Sequence, residues 1–175
     1  MEPLRDARGL TEAEAIARYR SRNYPKPALT ADILVFSRKQ KEHKILLIRR
    51  KGHPFLGYLA LPGGFANENE PVELTAAREL EEETDISGLP MKLIGVYSAP
   101  GRDPRGWVVS AAYAAVAEAA DLKPVAGDDA AEVGWYDFRI QDGRLILAGN
   151  GIQVEESQLA FDHARILKDA ISALF

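Results

Sequence analysis

The sequence predicts a protein of the α/β (α+β) class in which a β-sheet lies between helices. Segments rich in Ile, Leu and Val alternate with segments rich in Glu, Ala and Arg, so strand and helix patterns follow one another along the chain. The chain has 175 residues, 46% of them hydrophobic and 27% charged, which is typical of a folded domain with a sizeable core. Because no repeat or low-complexity linker divides it, we expect one domain over residues 1–175.

The N-terminal residues 1–25 are predicted to form a helix and an extension. Thr11 followed by Glu14 is a capping-box pattern, and it predicts a short helix over residues 13–22. The first ten residues are charged and lack the apolar core of a signal peptide, and no stretch approaches ~18 continuous apolar residues. We therefore expect a cytoplasmic protein with no membrane partner.

Aliphatic runs predict the strands, and helix-forming residues predict two more helices. The predicted strands cover residues 29–36, 44–48, 91–97, 108–117, 133–138 and, more briefly, 144–147. Charged residues 38–44 suit a hairpin loop between the first two strands. Pro71 lies where a first helical position would be, and good helix formers continue from it to residue 84. Apolar residues at helical spacing predict a C-terminal helix over residues 157–175.

Composition excludes several kinds of chemistry. With no cysteine, the chain has no disulfide, no thiolate nucleophile and no cysteine-held zinc. The three histidines are scattered, so a histidine metal site is not expected. The formal net charge is −4, which gives no broadly basic surface, so no nucleic-acid partner is expected.

The predicted central helix carries the clearest chemical signal. Glu79, Glu82 and Glu83 stand at i, i+3 and i+4, so they share one helix face. Like charges at this spacing repel, and they fall near the helix C-terminus, where the helix dipole prefers cations. A divalent cation would turn this repulsion into binding, and hard oxygen ligands favour Mg²⁺ or Mn²⁺. The alternative is an acidic face that is only solvated.

The surrounding pattern resembles the signature of the Nudix hydrolase family. Gly64 is followed after five residues by Glu70 and after seven more by the run from Arg78 to Ile86, so that eight of the nine specified positions match. The departure is Asp85, where the family has glycine. Asp is among the few residues that tolerate the left-handed conformation expected there, so we expect a small loss of stability and no loss of catalysis.

The resemblance implies a fold, an activity and a set of site residues. The fold is a Nudix-type α/β/α sandwich with a mixed β-sheet and a catalytic loop and helix. The activity is metal-dependent hydrolysis of a nucleoside diphosphate linked to another group. Glu79, Glu82 and Glu83 would bind the metal, Gly63 or Gly64 would let the backbone approach it, and Arg78 would orient the carboxylates, for example by pairing with Glu70.

Residues 97–107 resemble the corresponding loop of the ADP-ribose pyrophosphatase subgroup. In that subgroup a proline lies about fifteen residues past the signature, and Pro100 lies fifteen residues past Asp85. Residues 30–32 and 162–163 also look like that subgroup. The implied reaction converts ADP-ribose to AMP and ribose 5-phosphate. A sugar nucleotide, a dinucleotide or an oxidised nucleoside triphosphate stays open as substrate, as does a non-hydrolysing ADP-ribose sensor.

Candidate substrate-binding residues are mainly arginines. Arg102 and Arg105 could grip phosphate or ribose through their planar guanidinium groups, or could be solvated loop residues. Arg49 or Arg50, at the end of a strand, could face the phosphates. Trp107 or Tyr97 could stack on adenine, or could be core residues.

Three further questions stay open. The general base could be Glu79 or an acidic residue of the segment 128–132. His163 is expected to start a helix or lie in the core, since no nucleophile partner is near it. The family resemblance implies a possible homodimer in which subunits share an N-terminal segment.

Overall fold

The computed structural model of the protein describes residues 3–39, 42–118, 122–127 and 130–175. Its helices are α1 (Glu12–Arg20), α2 (Val72–Thr84) and α3 (His163–Leu174), with a short 3-10 helix at Glu156–Gln158. Its strands are β1 (Ala28–Lys39), β2 (Glu42–Arg50), β3 (Leu59–Ala60), β4 (Gly63–Phe65), β5 (Lys92–Tyr97), β6 (Val108–Ala117), β7 (Ala130–Gln141), β8 (Arg144–Gly149) and β9 (Ile152–Glu155). Within these ranges, no helix combines the length and apolar character needed to span a bilayer.

The described strands form one mixed sheet. Its order is β5-β6-β1-β2-β7-β8-β9, with β3 paired to β2 and β4 paired to β1. The β1–β6 pair is parallel and the other pairs are antiparallel. The prediction of a mixed sheet is confirmed.

The sheet lies between α2 and α3, because side chains alternate between its two faces. Leu34 and Phe36 of β1 pack in the cluster that contains the buried residues of α3. Ile33 and Val35 pack in the cluster that contains the buried residues of α2. Successive strand residues point to opposite faces, so one strand supplies both cores. The predicted sandwich of helices around a sheet is therefore confirmed.

The two ends of α2 are fixed by local backbone features. Pro71 precedes the first helical residue, and Asp85 ends the helix with φ 58° and ψ 22°, in the predicted left-handed conformation. The backbone N–H groups of Val125 and Gly127 donate to carbonyls in the last turn of α2, at 2.9 and 3.1 Å. Gly127 approaches so closely that a Cβ would collide with a helix carbonyl. The end of α2 is thus held by a separate segment of the chain.

Some boundaries differ from the prediction. The capping box of Thr11 and Glu14 is present, and α1 covers nearly the predicted residues. The hairpin loop expected over 38–44 is wrong in extent, because strand pairing continues to Lys39 opposite Glu42, and residues 40–41 lie outside the described ranges. The last helix begins later than residue 157, since the φ of 54° at Phe161 is incompatible with a right-handed helix. The short strands β3, β4 and β9 carry too few residues to give a recognisable pattern.

Candidate active site

A cavity of about 460 Å³ opens where β1, β4, α2, the loop of residues 98–107 and the start of α3 meet. Eight of the residues selected from the sequence line it: Arg50, Gly63, Gly64, Arg78, Glu79, Glu83, Arg102 and Arg105. Two others, Glu82 and Pro100, do not line it. The fold therefore brings two of the three α2 glutamates and three loop or strand-end arginines to one place.

Arg78 connects several groups at the mouth of this cavity. Its guanidinium forms a two-point ion pair with Glu70, at 2.9 and 3.0 Å, which lowers the pKa of Glu70 to about 2. It also donates to Glu79 at 2.7 Å, to Glu82 at 3.1 Å and to the Phe65 carbonyl at 3.0 Å. Arg78 thus ties β4, the segment before α2 and the acidic face of α2 together.

Two glutamates of α2 pack against the backbone of β4. The Glu83 carboxylate is buried and accepts a hydrogen bond from the Gly63 N–H at 2.8 Å. The Glu79 carboxylate lies so close to Gly64 that a Cβ there would be 2.5 Å from it. Burial raises the pKa of Glu79, and the ion pair with Arg78 offsets only part of this. At Gly64 a side chain would fill the space that the Glu79 carboxylate occupies, and at Gly63 it would collide with the Ala31 carbonyl of β1, so both positions need glycine.

The chemistry of these groups suits a divalent cation. Glu79, Glu82 and Glu83 offer hard carboxylate oxygens from one helix face, beside backbone that approaches without a side chain between. The side chains do not converge on one point: among the described residues, no three His, Cys, Asp or Glu side chains are grouped to hold a metal. Arg78 draws the carboxylates of Glu79 and Glu82 to itself. The donor set fits a hard cation once those carboxylates turn from the guanidinium.

Arg102 is a buried ion-pair residue and not a solvated one. Its guanidinium makes a two-point contact with Asp162, at 2.9 and 2.6 Å, and lies 3.4 Å from Asp32. The other contacts of Asp32 are with the Ser110 hydroxyl and the His163 ring. Burial opposes ionisation of Asp32, but its contacts with these neighbours prevail and lower its pKa. The solvated alternative for Arg102 is wrong, and this network forms the floor of the cavity.

Arg105 extends across the opposite wall. It makes a two-point ion pair with the buried Asp103, and this pairing lowers the pKa of Asp103 although burial opposes the shift. Its guanidinium carbon lies 4.7 Å from the ring centre of Phe65 and 5.3 Å from that of Phe161. Both distances allow cation–π contacts. Arg105 is therefore held in place and still reaches the cavity.

Only one of the two arginines at the end of β2 lines the cavity. Arg50 donates to the Pro54 carbonyl at 2.9 Å and lies over the ring of Phe161 at 5.0 Å. Arg49 pairs with Glu132 at 2.8 Å, and neither residue lines the cavity. Residues 128 and 129, the other acidic candidates for a general base, lie outside the described ranges. Of the candidates in the described part of the chain, Glu79 alone lines the cavity.

The two aromatic candidates lie elsewhere. Tyr97 is buried and donates to Asp169 at 3.1 Å, so the core alternative applies to it. Trp107 is 58% exposed, so it is not a core residue, and it does not line the cavity.

The cavity wall also contains residues with no role predicted from the sequence, among them Asp32, Phe65, Asp103 and Phe161. Asp32 is a single carboxylate inside the apolar strand β1, and this position indicates a site because a buried charge needs partners. Nothing in the local sequence marks the two phenylalanines, since their position depends on where distant loops meet.

Comparisons with known proteins bear on the family and the fold. A model of the NUDIX domain family matches residues 26–142. The ADP-ribose pyrophosphatase of Methanocaldococcus jannaschii is 41% identical over 148 residues, which cover 85% of this chain and 75% of that protein. The ADPR responsive transcriptional repressor NtrR of Acinetobacter baylyi is 32% identical over 166 residues, 94% of this chain but 61% of the repressor. The NUDIX domain of Shewanella oneidensis NrtR, solved with ADP ribose, has a TM-score of 0.73 at 28% identity, covering 95% of this chain and all of that one.

Proposed function

Because the chain belongs to the NUDIX family, we propose that it hydrolyses ADP-ribose with one water to AMP and ribose 5-phosphate. One observation carries this proposal: Glu79 and Glu83 of α2 line the same cavity as Arg50, Arg102 and Arg105. An acidic face can hold cations, and guanidinium groups bind phosphate oxygens, so the pair suits a diphosphate substrate. The pyrophosphatase of M. jannaschii, 41% identical, supports the choice of ADP-ribose.

We propose that Glu79, Glu82 and Glu83 hold Mg²⁺ or Mn²⁺, with the Gly63 backbone beside them. Bound divalent cations neutralise diphosphate charge and make water a stronger nucleophile. Arg78 restrains the carboxylates through its contacts with Glu70, Glu79 and Glu82. Glu79 is the proposed general base, because it alone of the described candidates lines the cavity.

The arginines have different parts in the proposed complex. Arg50 and Arg105 line the cavity and would contact the phosphates. Arg102 would act mainly through structure, because Asp162 and Asp32 already engage its Nε and Nη2 groups. Pro100 would shape the loop that carries Arg102 and Arg105 and would not touch the substrate.

A second candidate function is a non-hydrolysing ADP-ribose sensor. The likeness to a repressor from A. baylyi and to a NUDIX domain solved with ADP ribose favours it. The complete set of α2 glutamates favours hydrolysis. A different nucleotide, such as a dinucleotide or a sugar nucleotide, is the third possibility and would leave the chemistry unchanged.

The first experiment incubates the protein with ADP-ribose and Mg²⁺ and separates the products by chromatography, beside a panel of other nucleoside diphosphate compounds. Glu82→Gln is the test variant. Glu81→Gln is its matched control, because Glu81 is exposed on the same helix and lies outside the proposed ligand set.

AMP formation that falls steeply in Glu82→Gln and persists in Glu81→Gln would support the proposal. Turnover of another compound alone would contradict ADP-ribose as substrate. Binding of ADP-ribose by calorimetry with no turnover of any compound would favour the sensor.

We also propose that residues 1–175 form one domain that works as a homodimer with α1 packed on a partner subunit. Helix α1 has no buried residue. A nine-residue helix is marginal alone, and Ile16, Tyr19 and Tyr24 nearby are apolar and exposed. One chain has a mass of 19.2 kDa, and size-exclusion chromatography with light scattering should give twice this value. A monomeric mass would contradict this proposal.

A further inference from the structure

The ring of Phe161 lies against two arginines of the cavity wall. The guanidinium carbon of Arg50 is 5.0 Å from the ring centre, and that of Arg105 is 5.3 Å from it. Both distances are within the range of cation–π attraction. Arg50 ends β2 and Arg105 belongs to the loop of residues 98–107, so the ring is a contact that two distant parts of the chain share.

The backbone of Phe161 is held in an unfavourable conformation. Its φ is 54°, in the left-handed region that glycine occupies without strain and that a phenylalanine rarely adopts. Phe55, whose ring centre is 4.8 Å away, has a φ of 63°. Strained residues of this kind persist where the surroundings fix them, and they concentrate at ligand sites. The contacts of the ring must therefore offset the backbone strain.

The two guanidinium groups repel each other in this arrangement. Their central carbons can be no more than about 10 Å apart, because each lies close to the same ring centre. Asp103 pairs with Arg105, and the Pro54 carbonyl accepts from Arg50. A ligand with two adjacent negative groups can present a separate group to each arginine, whereas a single phosphate has to share its oxygens between them.

We propose that Phe161 is a positioning residue that sets the spacing of Arg50 and Arg105, so that the cavity binds a diphosphate in preference to a monophosphate. The inference deepens the proposed function and rests on it for the orientation of the substrate. Phe161 would thus favour binding of the diphosphate substrate over the monophosphate product through its contacts with the two arginines, without touching the reacting phosphorus. Phe161 also lines the cavity, which places it where a change of spacing would be felt by the ligand.

The test measures binding by calorimetry in Mg²⁺ buffer, with α,β-methylene-ADP and AMP as probes that differ by one phosphate group. Wild type should bind α,β-methylene-ADP more tightly than AMP. Phe161→Leu should reduce this preference about tenfold, since two cation–π contacts are lost, while AMP binding changes less than about twofold. Phe161→Tyr keeps an aromatic face and should retain the preference. The KM for ADP-ribose should rise in Phe161→Leu with little change in kcat.

Phe55→Leu is the matched control, because it removes a neighbouring ring of the same kind and backbone conformation. It should lower stability and leave the preference intact. No preference in wild type, an unchanged preference in Phe161→Leu, or an equal loss in Phe55→Leu or Phe161→Tyr would overturn the inference. If wild type shows the expected binding pattern but no turnover of ADP-ribose, the proposed reaction fails while the role of Phe161 stands.

Discussion

The Nδ1 atom of His163 accepts a hydrogen bond from the backbone N–H of Leu61 at 2.9 Å. Because Nδ1 accepts, the hydrogen-bond network assigns the ring proton to Nε2, which lies 3.5 Å from a carboxylate oxygen of Asp32. Leu61 begins the turn that leads to Gly63, and Gly63 in turn donates to Glu83. A residue that starts α3 thus fixes the loop beside the acidic face of α2.

Replacing His163 should destabilise the protein. In His163→Leu the buried Leu61 N–H loses its acceptor, and an unpaired buried donor costs about 1–3 kcal/mol of unfolding free energy. His163→Asn can place an amide oxygen near the position of Nδ1, so it should recover part of that loss. Urea unfolding of the three proteins measures both effects. Equal stability of wild type and His163→Leu would show that the bond to Leu61 contributes nothing.

Gly64→Ala should reduce activity more than stability. The added Cβ would lie 2.5 Å from the Glu79 carboxyl group, which can rotate away because it ends a flexible side chain. The fold should therefore keep nearly its full unfolding free energy, while kcat falls about tenfold or more as Glu79 leaves its place. Gly95→Ala is the control, since a Cβ there meets only Tyr97 at ordinary contact distance. Full activity in Gly64→Ala would contradict a catalytic position for Glu79.

Asp85→Gly should stabilise the protein without reducing turnover. Asp85 ends α2 with a φ of 58°, where glycine carries no steric strain, and it places a negative charge at the helix end that disfavours one. The expected gain is about 0.5–1 kcal/mol of unfolding free energy, allowing for the greater freedom of glycine in the unfolded chain. Asp85→Ala removes the charge but keeps the Cβ, so any gain in it should be smaller than that in Asp85→Gly. A less stable Asp85→Gly would indicate that the Asp side chain has an essential local role.

The sequence predicted those features that depend on local pattern. The apolar run of β1 predicts a strand, and strand geometry alone places Leu34 and Ile33 on opposite faces of the sheet. The left-handed end of α2 at Asp85 was equally local. The glutamates of α2 could be placed on one face from their spacing alone, because helix geometry fixes it.

Features that depend on the meeting of distant segments were not predictable. Arg102 lines the cavity, but its ion pair with Asp162, sixty residues later in the chain, leaves no trace in the local sequence. Phe161 lines the cavity because its own left-handed backbone conformation turns the chain before α3. The spacing of apolar residues along the sequence does not predict such contacts, because they arise from tertiary packing.

The ion pair of Glu70 and Arg78 should make stability depend on pH in acid. The guanidinium of Arg78 lowers the pKa of Glu70 from its usual 4.5 to about 2. A carboxyl group whose pKa is depressed by folding stabilises the native state above pH 4.5, and this contribution is lost as the pH falls from there towards 2. Glu70→Gln should therefore be less stable than wild type at neutral pH, and the difference should shrink in acid. Urea unfolding from about pH 6 to about pH 3 measures this difference in stability.

Glu68→Gln is the control, since Glu68 is exposed and makes no ion pair within the described ranges. Its difference in stability from wild type should stay small throughout. A constant penalty for Glu70→Gln across this range would mean that the hydrogen bonds of Glu70, and not its charge, hold the segment before α2 in place.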